Sequence, residues 1–264
     1  MSVEPSRSGL EPDPRVPVVE EPGTTAAAPT PLGDRLVAIA EVTLCSGFPT
    51  QLGLIVLFTL VGAAPVTPAG QLSLSYIVLL TLADAALVLL LVWLLLRAHA
   101  ERPVAAFVGT RGFGGEMLLG IGLVPAALLI VAVTFGIMVR VAPWLHNVPE
   151  TPLEALIQSP AAAVWFGVVA VVAGLREEVQ RAFILRRFEQ HLGGAVIGLV
   201  VFSVAFGLGH LLQGWGAVVA TGLLGAFWGI VYLTRRSVVA PIVPRSIAAS
   251  STTVTVTPVK TRVP

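Results

Sequence analysis

The sequence predicts an all-α fold, a polytopic membrane helical bundle of about six to seven spans. Hydrophobic residues make up 55% of the 264 residues and charged residues only 12%, whereas soluble globular domains carry about 25% charged residues. Apolar runs close to the roughly 20 residues that a spanning helix needs recur along the chain. The excess apolar surface must therefore meet lipid, so membrane lipid is the first partner that we expect.

Six apolar runs account for the predicted spans. They lie near residues 37–62, 72–96, 117–139, 161–188, 195–213 and 217–234. The first run is interrupted at 46–51 by Ser-Gly-Phe-Pro-Thr-Gln. We expect a broken helix there, or a half-helix followed by a short span. The run at 237–243 is short and is followed by Pro244. The pattern therefore does not decide whether a seventh span exists.

The chain divides into four segments by composition. Residues 1–35 are rich in proline, acidic and small residues, and we expect a disordered cytoplasmic tail there. Residues 36–158 hold the N-terminal spans and residues 159–245 a helical core. Residues 246–264 are rich in Ser, Thr and Val, and we expect this tail to be disordered as well.

The arginine distribution predicts the orientation in the membrane. Arginines occur in the N-terminal tail and in the connections 98–116, 187–194 and 235–237, whereas the connections 64–71 and 214–216 carry none. The positive-inside rule therefore places the N-terminus and the three basic connections in the cytoplasm. Fifteen of the sixteen basic residues are arginine, a bias typical of GC-rich bacterial genomes, so we expect a bacterial cell membrane.

Composition and motifs argue against several function classes. The net charge is +1 and the basic residues form no cluster, so we expect no nucleic-acid partner. Cys45 is the only cysteine, which excludes an intrachain disulfide and a cysteine-based metal cluster. The chain has no HExxH zinc motif, no phosphate-binding loop and no serine elbow. We therefore expect neither a metal nor another cofactor.

Four charged residues follow directly on the apolar stretch 161–175: Arg176, Glu177, Glu178 and Arg181. A charge at the centre of a spanning helix costs about 2.5–3.5 kcal/mol on translocon scales. These residues either mark the cytoplasmic end of the helix or face a protein interior or a wet cavity. Arg181 lies three residues after Glu178 and four after Glu177, so we expect an intrahelical ion pair in which Arg181 supports the acids.

The fifth run places a histidine on a polar face. Ser203, Phe206, His210 and Gln213 occur at i, i+3, i+7 and i+10, which is one stripe of a helix. A lone histidine within a membrane more often serves packing or hydrogen bonding than catalysis. Its polar neighbours nevertheless predict that His210 faces the protein interior.

The turn between the fourth and fifth runs brings this histidine level with a glutamate. Glu177 lies sixteen residues before Gly193, and His210 lies sixteen residues after Gly194. In an antiparallel hairpin both would lie roughly 25 Å from the Gly-Gly turn, since a helix rises 1.5 Å per residue. A carboxylate that faces an imidazole can activate a water molecule. Glu177 would take a proton from this water, and His210 would orient or polarise it.

Two other acids lie inside predicted spans. Asp84 lies in the middle of the second run without an obvious partner, and Glu41 lies in the first run near Thr43 and Ser46. Either could line a pathway or hydrogen-bond to a neighbouring helix. Glycines recur at Gly222, Gly225 and Gly229 in the sixth run, which is a pattern that permits close helix packing.

These residues resemble a known protease family. Glu177-Glu178 followed by Arg181, and then Phe206 three residues ahead of Gly209-His210, are similar to the first two motifs of the CAAX protease and bacteriocin-processing family, also called CPBP or Abi. The resemblance covers about 160–245. It implies a membrane glutamic protease in which Glu177, Glu178 and His210 are catalytic and Arg181 and Phe206 support them. It also implies a hydrophobic or prenylated peptide substrate.

The chain departs from the family pattern in two places. The first motif, Glu-Glu-x-x-x-Arg, would place its arginine at Ala182, so Arg181 is a shifted analogue. The last motif, His-x-x-x-Asn or His-x-x-x-Asp after an Ala-Pro-like step, is missing after Ala240-Pro241. A frameshifted or divergent C-terminus would explain this. The family residues there are expected to stabilise an oxyanion, so we predict weak or absent proteolysis.

Two other functions stay open on the sequence. A catalytically inactive membrane scaffold or partner-binding protein would keep the helical fold and tolerate the missing last motif. A transporter could use Asp84 with Glu177 and His210 as a proton relay, although the chain shows no internal repeat in its support.

Overall fold

The computed structural model describes residues 30–109, 111–145 and 159–243. Within these ranges the regular structure is helical, apart from an isolated bridge between Val66 and Leu72. The all-α prediction is therefore confirmed. The predicted C-terminal tail at 246–264 and most of the predicted N-terminal tail at 1–35 lie outside the described residues.

Eight α-helices carry the fold in the described ranges. They are α1 Leu32–Cys45, α2 Phe48–Leu60, α3 Leu74–Ala98, α4 Pro103–Phe107, α5 Phe113–Val141, α6 Pro160–His191, α7 Ala195–Leu208 and α8 Trp215–Arg235. A short helical stretch follows at 239–243. The helix α6 begins at a favourable cap, because the Ser159 side chain accepts a hydrogen bond from the Ala162 amide and Pro160 occupies the first turn.

Three of these helices are long and apolar enough to cross a membrane: α3, α5 and α8. The pair α1 and α2 is bent by 47° and adds a fourth candidate if it counts as one broken span. The six predicted runs all correspond to helices. Two of them differ from simple spans, because charged residues interrupt the apolar surface of α6 and α7 has only 14 residues. The helical arrangement is consistent with a membrane bundle.

The predicted break in the first run is present between α1 and α2. Gly47 separates the two helices with φ of +85°, a left-handed conformation that a residue with a Cβ adopts only at a cost. Pro49 follows in the first turn of α2, where its missing N–H is not needed. The break points toward α6, because the open side of Gly47 lies against the Arg176 guanidinium.

The Gly-Gly turn is also where the sequence predicts it. Gly193 and Gly194 both have positive φ, at 95° and 108°, and join α6 to α7. The prediction of one continuous helix over 195–213 is wrong, because α7 ends at Leu208. The His210 amide donates to the Gly207 carbonyl at 2.9 Å, which closes a tight turn. The 14 residues of α7 rise only about 21 Å, which is less than the thickness of a bilayer core, about 30 Å.

Glycines let α7 and α8 pack closely, as the sequence predicts. Gly207 on α7 lies directly against the backbone of Val218 and Gly222 on α8. A Cβ at Gly225 would meet the Phe206 ring at 3.1 Å. Backbone contact of this kind is what small residues allow in membrane bundles. It sets Phe206, and with it the turn at His210, against α8.

Ion pairs gather at one end of the bundle. Arg187 near the end of α6 contacts Glu101, which follows α3, at 2.5 Å. Arg236 after α8 binds Glu189 on α6, and the partner of Arg235 is Glu116 at the start of α5. These contacts hold the ends of α3, α6 and α8 and the start of α5 together. The three connections predicted to be cytoplasmic therefore lie at the same end of the molecule.

Candidate functional site

A polar cavity of about 250 Å³ lies between the α1–α2 break, α6 and the end of α7. One water occupies only about 10–15 Å³ on a comparable measure, so the cavity has room for several waters or a peptide segment. Its polar lining comes from three parts of the chain: Ser46 and Gln51 at the break, Arg176, Glu177 and Gln180 on α6, and His210 and Gln213 after α7. Non-helical backbone within a membrane bundle is tolerated where it lines such a cavity.

A second cavity of about 320 Å³ lies on the other side of the same residues. It is lined mainly by apolar side chains of α5 and α8: Val124, Ala127, Leu128 and Val131 from α5, and Leu224 and Trp228 from α8. An apolar cavity of this size suits a hydrocarbon or a large apolar side chain.

Glu177, Phe206 and His210 line both cavities. They come from the middle of α6, the last full turn of α7 and the turn after it. The structure thus brings the predicted pair Glu177 and His210 to one place, where a polar chamber and an apolar chamber meet. Both side chains are partly exposed, which leaves them open to a small molecule in the cavities.

The ring of His210 is oriented by its own turn. Its Nδ1 lies 2.9 Å from the Phe206 carbonyl oxygen. A carbonyl can only accept, so Nδ1 carries the proton and the neutral ring keeps its lone pair on Nε2. The Phe206 ring packs edge-on against the imidazole with centroids 5.0 Å apart. Phe206, predicted as a support, therefore holds His210 through both its backbone and its ring.

Glu178 occupies a different environment from its neighbour Glu177. Its side chain is 1% exposed and lines neither cavity. It forms an ion pair with Arg181, which is fully buried. The predicted intrahelical ion pair is therefore present, between Glu178 and Arg181 three residues later.

Arg181 also supports the wall of α7. Its guanidinium carbon lies 5.1 Å from the centre of the Phe202 ring and 5.4 Å from that of Phe206. Cation–π contacts of this kind, when desolvated, contribute about 2 kcal/mol. Arg181 thereby connects Glu178 to the aromatic side chains that border His210.

Asp84 has a partner that the sequence did not predict. Its carboxylate lies 2.8 Å from the Arg176 guanidinium, and the Thr50 hydroxyl donates to it at 2.5 Å. The sequence left open a hydrogen bond from Asp84 to a neighbouring helix, and the bond from Thr50 on α2 is of this kind. Arg176 is an additional partner. The Gln51 amide lies 3.5 Å from the same carboxylate. This cluster joins α2, α3 and α6 next to the polar cavity.

Glu41 is also paired. It contacts Arg187 at 2.5 Å and His99 at 2.6 Å. These contacts place it among the ion pairs at the bundle end. Glu41 is absent from the lining of the two cavities, so a shared pathway with Glu177 is not what the geometry favours.

Sequence reasoning missed Arg176 as a member of the site. It was grouped with the charged residues of α6 but given no role of its own, because its partner lies on α3, far away in sequence. A signal was present: an unassigned arginine and an unassigned aspartate in two separate apolar runs can neutralise each other. Within the described part of the chain, no three or more His, Cys, Asp or Glu side chains lie together in a way that could hold a metal ion.

Comparison with known proteins tests the family resemblance. No curated protein and no solved structure is significantly similar to the chain. Residues 159–248, which contain α6, α7, α8 and both matched motifs, correspond to a family model. The resemblance predicted from the sequence is thereby confirmed: this segment matches the family described as Rce1-like, type II CAAX prenyl endopeptidase.

Proposed function

We propose that the chain is an intramembrane endopeptidase of the CAAX prenyl protease type, in which Glu177 activates a water that attacks a peptide bond. The observation that carries the proposal is that Glu177 and His210 line the same two cavities, one polar and one apolar. A hydrolase of apolar peptides needs both environments, since water must reach the bond while the apolar part of the substrate stays out of water.

The chemistry follows from the two side chains. A water between Glu177 and His210 gives one proton to the Glu177 carboxylate, and its oxygen forms a bond to the peptide carbonyl carbon. The carbonyl electron pair moves onto oxygen and creates a tetrahedral oxyanion. When this collapses, the carbon–nitrogen bond breaks and the amine leaves with the proton that Glu177 returns. His210, with Nδ1 held by the Phe206 carbonyl, orients the water through Nε2.

Glu178 and Arg181 act indirectly in this scheme. Their ion pair lies outside the two cavities, so the family role implied for Glu178 is best served by positioning α6. The substrate is a hydrophobic or prenylated peptide. Its apolar portion fits the cavity between α5 and α8, and its peptide bond then lies toward the polar cavity.

A cleavage assay tests the proposal. We expect the protein in detergent to cleave at least one of a panel of membrane-tethered and farnesylated peptides, and Glu177→Gln to abolish cleavage. The matched control is Glu189→Gln on the same helix, whose carboxylate pairs with Arg236 far from the cavities. Cleavage that survives in Glu177→Gln would remove the proposed role of this carboxylate.

The alternative is an inactive membrane scaffold, which the lack of His and Asn after Ala240-Pro241 favours. The same assay separates the two functions when a version with a family-like His-x-x-x-Asn end is included. Cleavage by the repaired version alone would identify the chain as written as a scaffold. Cleavage by both, lost in Glu177→Gln, would exclude the scaffold.

We further propose that the N-terminus and the end of the bundle that carries the ion pairs are cytoplasmic, in a bacterial cell membrane. Cysteines introduced at Val66 and Trp215 should then react with an impermeant thiol reagent from outside, and one introduced at Arg102 only after the membrane is opened. Native Cys45 is fully buried and should stay silent. The reverse labelling pattern would invert the topology.

A further inference from the structure

The polar cavity contains a charged group that the proposed water activation does not use. Arg176 precedes Glu177 on α6 and lines the same cavity. Its side chain is 11% exposed, and its charge is matched by Asp84, whose side chain is 4% exposed. A buried arginine in a reaction chamber raises the question of what it contacts during the reaction.

Arg176 has hydrogen-bonding capacity to spare. A guanidinium offers five N–H donors, and the Asp84 carboxylate contacts one terminal nitrogen of it at 2.8 Å. The Nε of Arg176 is buried with no hydrogen-bond acceptor among the described residues. Leaving a buried donor unsatisfied typically costs about 1–3 kcal/mol. Such a donor gains most when an acceptor appears beside it.

The group is also held in place. Asp84 binds it from α3, the Thr50 hydroxyl fixes Asp84 from α2, and the guanidinium rests against the open side of Gly47. Three helices therefore set the position of Arg176 before any ligand binds. Donors fixed in advance stabilise charge that develops in a transition state without a cost of reorganisation.

We propose that Arg176 is a catalytic residue that donates a hydrogen bond to the tetrahedral oxyanion, and that Asp84 and Thr50 are its positioning residues. This inference rests on the proposed peptidase function. Hydrolysis by Glu177 and His210 creates an oxyanion that needs a donor. The other cavity-lining donors, such as Gln51, Gln180 and Gln213, are neutral, and a charged donor forms the stronger hydrogen bond.

The charges favour an oxyanion over a permanent anion such as a peptide carboxylate. Asp84 already neutralises Arg176, and Glu177 lines the same cavity. A ligand that carries a full negative charge from the start would meet this carboxylate and be repelled. An oxyanion forms only after Glu177 has taken a proton from the water, when that repulsion has gone.

The sequence alone predicts weak or absent proteolysis, because the last family motif is missing. With Arg176 as a donor, we expect cleavage that is slow but depends on Arg176. Losing one oxyanion donor typically lowers kcat by about 10²–10³, and this is the size of effect that we expect from removing Arg176.

The variant must avoid leaving Asp84 buried and unpaired, which would destabilise the fold. We therefore choose the double variant Arg176→Gln with Asp84→Asn, which removes both charges together. The matched control is Arg236→Gln with Glu189→Gln, which removes an ion pair at the bundle end outside the cavities. Thermal unfolding in detergent confirms that both double variants are folded.

Two readouts test the role. For a farnesylated CAAX tetrapeptide, the cavity double variant should lose about 10²–10³ in kcat with KM unchanged, which marks an interaction made only in the transition state. Binding is measured with a phosphinate analogue of this peptide, which mimics the tetrahedral anion, and with a ketomethylene analogue, which mimics the substrate. The variant should weaken binding of the phosphinate alone, while the control variant changes neither readout.

Several results would overturn the inference. A rise in KM at unchanged kcat, or equal weakening of both analogues, would make Arg176 a ground-state binding residue. Cleavage that depends on Glu177 but is unchanged in the cavity double variant would refute the inference and leave the proposed function intact. If the protein cleaves no peptide and binds the phosphinate no better than the ketomethylene, both proposals fail. Selective phosphinate binding that is lost in the double variant supports the inference even where turnover is undetectable.

Discussion

Two buried ion pairs on α6 have similar chemistry and different surroundings. Arg181 pairs with Glu178 within the helix, both side chains are at most 1% exposed, and neither lines a cavity. Arg176 pairs with Asp84 on α3, and Arg176 lines the polar cavity. The first pair is buried against aromatic side chains of α7. The second borders a cavity that is large enough to hold water.

The difference shows what a charge in a membrane helix can be used for. In the Arg181 pair the charged groups bind each other and Arg181 contacts aromatic rings away from both cavities, so the arginine contributes to the structure of the bundle. Both arginines retain buried donors without an acceptor among the described residues, but only the side chain of Arg176 lines a cavity where a ligand can approach it. Burial alone does not separate the two roles; contact with the cavity does.

The largest expected loss of stability comes from breaking the Arg181–Glu178 pair. Arg181→Met removes the arginine that pairs with the buried Glu178 carboxylate, and removing one partner of a buried pair costs about 3–5 kcal/mol. Replacing Glu178 as well, in Arg181→Met with Glu178→Leu, should recover most of that loss because no buried charge remains. Thermal unfolding in detergent measures both variants. A double variant as unstable as the single one would show that Arg181 stabilises mainly through its rings and not through Glu178.

The same contrast explains what sequence reasoning could and could not predict. The Arg181–Glu178 pair lies within one turn of one helix, so spacing alone predicts it. The break at Gly47 and the turn at Gly193-Gly194 were predictable for a similar reason, because glycine and proline act on the local backbone. The motifs on α6 and α7 are also short and local.

The ion-pair partner of Asp84 could not be predicted from the sequence, because it depends on which helices pack together. The end of α7 at Leu208 was also missed. An apolar run continues through Leu211 and Leu212, so the pattern favours helix. Glycines flank Leu208 on both sides, and α8 packs against the first of them, Gly207. Glu177 and His210 were still predicted to meet, since the Gly-Gly turn fixes their level along the hairpin and the cavities lie at that level.

A smaller loss of stability is expected from replacing Gly47, the glycine that makes room for the Arg176 guanidinium. Gly47→Ala introduces a Cβ at φ of +85°, which costs about 1–2 kcal/mol, and directs it into the Arg176 guanidinium. We expect lower stability together with slower peptide cleavage, because Arg176 must move. Unfolding and kcat are measured on the same sample.

The control for this variant is Gly53→Ala on α2, where an added Cβ meets nothing within 4 Å. Alanine is favoured over glycine inside a helix by up to about 1 kcal/mol, so this variant should be as stable as the parent or more stable, with unchanged kcat. If Gly47→Ala also left kcat unchanged, the position of Arg176 would not matter for the reaction, and the distinction between the two pairs would be lost.

The smallest expected effect concerns a third cluster, at the bundle end, in which the partly exposed Glu101 contacts both the buried Arg187 and the more exposed Arg186. Glu101 follows α3 and contacts both Arg186 and Arg187 at 2.5 Å. Burial raises the pKa of Glu101, but hydrogen bonds and charge from Arg187 and Arg186 outweigh it and hold the pKa below its ordinary value of 4.5.

A carboxyl group with a depressed pKa stabilises the fold fully at pH values above its ordinary pKa, and this contribution is lost as the pH falls through the folded-state pKa. Glu101→Gln should therefore lower the unfolding temperature slightly at pH 7, and the difference from the parent should shrink as the pH falls below about 4.5. Arg187 is buried but keeps Glu41 as a second partner, and Arg186 is about one third exposed, where an ion pair contributes about 1 kcal/mol or less. The shift should therefore be smaller than that of Arg181→Met. A difference that grows on acidification would mean that Glu101 is protonated in the folded protein and that its arginine contacts do not stabilise the bundle end.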